Sequence, residues 1–127
     1  SGLFLEIANT GSMTAIGTQS EPIVVTSSGK SVGDHRGVRF VNSTSDKNKL
    51  QYMTIEFGGG DVNPTYRGNL TLSGTAAAKT VIDIQNCSFK SSANYGVYIP
   101  QKDGVTITPA DYQTANTFEA NVKGSVN

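Results

Sequence analysis

The sequence predicts an all-β repeat fold, a β-solenoid built from short strands, and three observations carry that prediction. Apolar residues recur at i, i+2 in short bursts, and turn residues interrupt each burst before a helix could complete three turns. The composition matches. Charged residues make up only 16% of the chain against a usual share of about 25%, and 14 glycines plus abundant Ser, Thr and Asn supply tight turns between β-branched strand formers. Finally, segments of the chain resemble one another at an imperfect spacing of roughly 20 to 35 residues, the range of stacked supersecondary units. At 127 residues the chain has the length of one domain, taken as residues 1–127.

Each element follows from its residues. Strands are predicted at Leu3 to Ile7, Met13 to Ile16, Ile23 to Thr26, Val38 to Phe40, Leu50 to Phe57, Leu70 to Leu72, Val81 to Phe89, Val97 to Ile99 and Val105 to Ile107. Asn9-Thr10-Gly11, Ser27-Ser28-Gly29, Gly58-Gly59-Gly60 and Gly74 lie between them, and these residues supply positive φ or local side-chain-to-backbone hydrogen bonds. No Asn-Gly or Asp-Gly pair joins two alternating strands, although Asp103-Gly104 comes near, so a hairpin meander is disfavoured. The repeats are specific. Tyr52-Met53-Thr54-Ile55-Glu56, Asn86-Cys87-Ser88-Phe89-Lys90 and Asn116-Thr117-Phe118-Glu119 share a polar turn residue, a hydroxyl residue, a large apolar residue and a charge. Ile55 to Phe89 is 34 residues and Phe89 to Phe118 is 29, while Gly37-Val38-Arg39-Phe40 and Gly96-Val97-Tyr98-Ile99 are 59 apart.

Charge and cysteine content narrow the function classes. Ten basic and ten acidic residues balance to zero without clustering, which argues against a nucleic-acid partner or an anionic membrane surface. No window of 18 apolar residues suggests a membrane span. The single Cys87 excludes a disulfide within the chain and leaves no CxxC motif.

Gly11 to Thr18, Pro22 to Ser28, Asp34-His35-Arg36-Gly37-Val38, Thr54 to Gly59 and Ser91 to Ile99 resemble the coils of the right-handed parallel β-helix proteins of the pectin-lyase-like fold. The likeness is closest to large extracytoplasmic bacterial proteins and covers nearly the whole chain. It implies a right-handed parallel β-helix of about four coils, a secreted or cell-surface location, and a core of stacked Ile, Val, Leu and Phe. His35 stands where the family commonly has Trp, and the chain contains no Trp. Leu3 to Ile7 reads like an interior rung, so a segment of a longer solenoid is expected, with the rest of a parent chain, or another copy meeting an uncapped end, as partner.

Four residues are catalytic candidates: His35, Glu56, Asp61 and Arg67. His35, beside Asp34 and Arg36, is the only imidazole and has the residue type of a general base, but a turn or stacking role in the Trp slot is the preferred reading. Glu56, Asp61, Arg39 and Arg67 are expected on one flank. In polysaccharide lyases of this fold carboxylates bind calcium and a basic residue removes the α-proton, so calcium would enter if the chain were a lyase. Paired carboxylates would alternatively serve glycoside hydrolysis. Neither cluster matches residue by residue, and solvated rim charges are the preferred account. A metal site is not expected, because Glu56, Asp61, Asp83 and Asp103 lack the spacing of a calcium loop.

The loop from Gly58 to Arg67 combines glycines, turn formers, an aromatic and a cation, and Asp61, Asn63, Tyr66 and Arg67 are the ligand-binding candidates. Tyr52, Tyr66, Tyr95 and Tyr98 suit either sugar stacking or packing within a ladder. Cys87 is read as an inward-facing small hydrophobe. Thr71 and Thr106-x-Thr108 are too few for a flat threonine array, and no role is assigned to the Asn-x-Ser/Thr triplets. The resulting expectation is a non-catalytic extracytoplasmic structural or binding module facing polysaccharide or surface glycans. The competing expectation is a lyase or glycoside hydrolase acting along the solenoid flank.

Overall fold

Strands of a lone coil have no partners, so the fold closes only by stacking each coil on the next through parallel ladders. The computed structural model describes residues 2–106 and 109–127, with the side chains of residues 109 and 110 excepted. Twelve strands are described: β1 (Leu5–Ala8), β2 (Thr14–Ile16), β3 (Ile23–Val25), β4 (Val38–Val41), β5 (Lys49–Gln51), β6 (Met53–Glu56), β7 (Gly68–Ser73), β8 (Asp83–Gln85), β9 (Ser88–Lys90), β10 (Tyr95–Tyr98), β11 (Thr117–Glu119) and β12 (Gly124–Val126). From β1 to β7 each strand pairs with the third one after it, then β9 pairs with β11 and β10 with β12, and every pair is parallel. Sheet A runs β1-β4-β7-β10-β12, sheet B runs β2-β5-β8 and sheet C runs β3-β6-β9-β11. The chain is therefore a parallel β-solenoid of about four turns.

The register confirms the repeats. Ile55 pairs with Phe89, and Phe89 with Phe118, so both spacings are single coils. Val38 pairs with Leu70 and Leu70 with Val97, so the 59-residue spacing is two coils. Because side chains alternate along a strand, in-register pairing stacks like on like. Ile7, Phe40 and Leu72 form one inner column, Leu50 and Ile84 another. Phe40, Leu50, Ile55, Leu70, Leu72 and Phe89 are wholly buried, and the Phe89 and Phe118 rings stack with centroids 5.4 Å apart. Cys87 faces inward as expected, at 1% exposure. In the first coil Leu3, Leu5 and Ile16 are exposed.

Two expected strands are each two strands. Residues 50–57 and 81–89 bend at Tyr52 (φ 50°) and Asn86 (φ 55°), which carry the chain from sheet B to sheet C. Equivalent left-handed corners recur at Phe57, Ser91 and Ala120 after sheet C, and at Asn9 and Asn42 after sheet A. For residues other than Gly that conformation costs roughly 1–2 kcal/mol each. Bonds between coils hold it: Tyr52 N–H donates to Gln85 O, Phe57 N–H to Lys90 O and Asn42 N–H to Ser73 O.

Buried asparagines complete the corners. Asn48 accepts from Met13 N–H and donates to Val81 O; Asn69 accepts from Gly58 N–H and donates to Ile55 O and Lys90 O. Asn116 accepts from Cys87 N–H and donates to Ile84 O and Tyr112 O.

The fourth coil departs from the expected strand at 105–107. Val105 makes only an isolated bridge to Thr80, after a short 3₁₀ turn at Lys102–Gly104, while Ile107 and Thr108 lie outside the described residues. A helix, α1 (Pro109–Ala115), takes the place of the sheet B strand. Pro is suited to a first helical position, Asp111 sits in the first turn where negative charge suits the helix dipole, and the Asn116 side-chain amide donates to the Tyr112 carbonyl in the last turn. Tyr112, 1% exposed, fills the core where that strand's inward residue would have stood. No described helix is long and apolar enough to cross a membrane.

Candidate functional site

The 58–67 loop folds back over the outer face of sheet A. Gly60 passes so close to the Gly33 carbonyl that a Cβ there would collide with it, and its N–H donates to His35 O. That approach turns Asp61 toward the sheet. Its carboxylate accepts from Asn63 N–H at 3.0 Å and from Arg39 Nη1 at 3.2 Å. Arg39 Nε also pairs with Glu6 at 2.6 Å. The Arg39 guanidinium carbon lies 3.6 Å from the Phe4 ring centroid and 4.0 Å from that of Tyr66. The cation is thus held between two rings and two carboxylates, and the Asp61 side chain is only 4% exposed. Beside Arg39 in the same outward row is Thr71, whose buried hydroxyl has no partner.

The structure brings Asp61 and Tyr66 together around Arg39 and leaves the other candidates elsewhere. Asn63 accepts from Thr65 N–H within its own turn. Arg67 contributes a backbone carbonyl to Tyr95 N–H. Glu56 belongs to sheet C, where it accepts from the Thr26 hydroxyl at 2.9 Å and faces Lys90 at 3.8 Å. The expected single flank of Glu56, Asp61 and Arg67 is therefore corrected: the strand carrying Glu56 turns at Phe57 before the loop begins, so Glu56 and Asp61 serve different sheets.

His35 spends both ring nitrogens on backbone. Nδ1 accepts from Gly37 N–H at 3.0 Å, which makes Nε2 the donor to Glu56 O at 2.9 Å. Asp34 turns away from it, accepting from the Ser27 hydroxyl and Ser31 N–H. The Ser31 bond foremost, then the Ser27 bond, hold its carboxyl below the ordinary value of 3.8. Among the tyrosines, Tyr95 and Tyr98 stack on each other at 5.5 Å. No group of three or more metal-ligating side chains is found among the described residues.

A groove that the sequence reading did not single out runs along the corner between sheets B and C. Its volume is about 550 Å³, and its lining comes from all four coils: Thr18, Gln19 and Pro22, then Tyr52 to Thr54, then Asn86 and Cys87, then Thr114 to Thr117. Every one of these residues is uncharged. Corner backbone groups are already paired along the axis, with Gly17 N–H on Gln51 O, Ile23 N–H on Tyr52 O, Asn86 N–H on Ala115 O and Thr117 N–H on Cys87 O. Burial pushes the Cys87 thiol up to about 11, so it offers no thiolate near neutrality. The signal was present in the repeat itself: Tyr52 and Asn86 are its turn residue, and Thr54, Ser88 and Thr117 form its in-register hydroxyl row. No protein-family model, curated protein or solved structure matches this chain.

Proposed function

We propose that this chain is a non-catalytic extracytoplasmic binding module, a rigid segment of a pectin-lyase-like β-helix that presents one flank to polysaccharide or surface glycans. The observation supporting binding over turnover is the use made of the acid–base groups. Asp61 and Arg39 are joined in a nearly buried ion pair, His35 has both nitrogens on backbone, and Glu56 lies on another sheet with Thr26 and Lys90. Glycosidic cleavage needs two such groups facing one bond, and here each candidate is committed to holding a coil in place.

The test is incubation of the chain with neutral and uronate-containing polysaccharides, with and without calcium, following unsaturated product, reducing ends and affinity. The expected result is saturable binding without turnover. Turnover that Glu56→Gln or Asp61→Asn abolishes would replace this reading with a lyase or hydrolase. Absence of binding to every glycan would refute the glycan-facing role.

A further inference from the structure

The corner groove between sheets B and C has no part in the acid–base argument above, and its chemistry is selective. Thr54, Tyr52, Asn86 and Gln19 carry side-chain hydroxyl or amide groups with no hydrogen-bond partner in the structure, and Pro22 adds apolar surface, while Met53 is turned into the core. No lining residue is charged. A phosphate or carboxylate polymer would find no cation there, which argues against nucleic acid and uronate chains alike.

The groove crosses four coils, or three strand spacings, roughly 14 Å along the axis. That shape takes a linear chain. An extended polypeptide gains most of its affinity by pairing its backbone with a free sheet edge, yet the corner amides are already bonded from coil to coil. A hydroxyl-rich chain needs no such edge, because hydroxyls both donate to and accept from Thr, Asn, Gln and Tyr, while its C–H faces suit the flat side of a tyrosine ring. The walls are fixed in place: Tyr52 and Asn86 occupy left-handed corners, and Thr54 sits within the sheet C ladder, so little ordering cost attends binding.

We infer that the corner groove between sheets B and C binds a linear, uncharged polysaccharide lengthwise, without calcium. This rests on the glycan-binding reading above and adds to it a place and a ligand class. The test is calorimetric titration of soluble neutral glucans and mannans, and of oligouronates with and without calcium, into the wild-type chain and three variants. Gln19→Ala with Thr54→Val removes two hydrogen-bonding groups while keeping a strand-favouring residue in β6, and Thr117→Val is a second, solvent-exposed change in case the first fails to fold. Tyr66→Ala with Arg67→Ala alters the loop over sheet A instead.

A neutral chain is expected to bind the wild type and the loop variant alike in the presence of chelator. The double groove variant is expected to lose roughly tenfold in affinity with its circular dichroism unchanged. Loss in the loop variant with the groove variant intact would overturn this inference while leaving the glycan-binding reading standing. Preference for oligouronates, dependence on calcium, or tighter binding of an extended uncharged peptide would overturn it as well. Absence of binding to any glycan would end both.

Discussion

Asn69 is a position at which the solenoid's stability should be sensitive to a small polar change. It is wholly buried and ties together three backbone groups of two coils: its side-chain oxygen accepts from Gly58 N–H at 2.8 Å, and its amide donates to Ile55 O at 3.0 Å and Lys90 O at 2.9 Å. Asn69→Ala does not orphan all three, because Lys90 O still receives Phe57 N–H. Gly58 is different. It is buried, and no other acceptor for its N–H is present in the structure. One stranded donor and the two lost donations amount to ~3–5 kcal/mol of destabilisation, since an unsatisfied buried group costs ~1–3 kcal/mol and an ordinary lost bond ~1 kcal/mol.

The comparison is Asn121→Ala. Asn121 holds the equivalent corner one coil on, accepting from Ser92 N–H and donating to Phe89 O at 3.1 and 3.0 Å, but it is half-buried and water can replace part of what is lost. Its cost is expected near ~1 kcal/mol. Urea unfolding followed by circular dichroism measures both, the midpoint reporting stability and the slope reporting whether the coils still unfold together. Equal losses at the two positions, or a loss below ~1 kcal/mol at Asn69, would refute the claim that burial of the corner amide sets the cost.

Three further outcomes follow. Arg39→Met leaves the Asp61 carboxylate, 4% exposed, without its cation and is expected to cost ~3 kcal/mol in urea unfolding; adding Asp61→Asn should recover much of that, and no recovery would show that stacking of the Arg39 guanidinium between Phe4 and Tyr66 is what matters. Tyr112→Phe deletes a buried hydroxyl that has no partner and keeps the ring, so it should be neutral or stabilising by up to ~1 kcal/mol; a lower melting temperature would count against the unpaired hydroxyl. The folded chain holds the Cys87 proton more tightly than the unfolded chain, so the stability this supplies is complete below pH 9.0 and is lost as pH rises toward about 11. Cys87→Ala should therefore lose less stability than wild type over that window, and a thiol reagent should label Cys87 at pH 8 only after unfolding.

Sequence and structure agree where register decides the outcome. Ile55, Phe89 and Phe118 could be recognised as one column because inward residues of a parallel solenoid must stack in step, whatever the loop lengths between them. The corners were legible only in part. Asn at a left-handed position leaves a trace in sequence, but Tyr52, Phe57, Ser91 and Ala120 adopt the same conformation against their own preference, the first three held by bonds to the next coil. The helix at Pro109–Ala115 was missed because two turns in which Tyr112 is the only buried residue among the described side chains show no period of 3.6. At the loop, Asp61 and Tyr66 were singled out as ligand-binding candidates, and the structure places both against Arg39. Their use was hidden, because Arg39 lies 22 residues before Asp61 and only the return of the loop over sheet A brings them together.

The register that builds the core also writes the surface. Ile55, Phe89 and Phe118 point inward, so the residues just before them, Thr54, Ser88 and Thr117, must point outward in a row with a step of about 4.8 Å. The residues just after them, Glu56, Lys90 and Glu119, form a parallel row of alternating charge. A neutral hydroxyl row at the corner and a charged row toward the next corner are thus two consequences of one repeated segment. Coil length changes without disturbing either row, because the difference between the 34-residue and 29-residue spacings falls in the connections between sheets. Insertions in the exposed 62–64 stretch should therefore leave the groove intact. A one-residue insertion between Tyr52 and Thr54 would turn Thr54 inward and Ile55 outward, costing the core and the groove together.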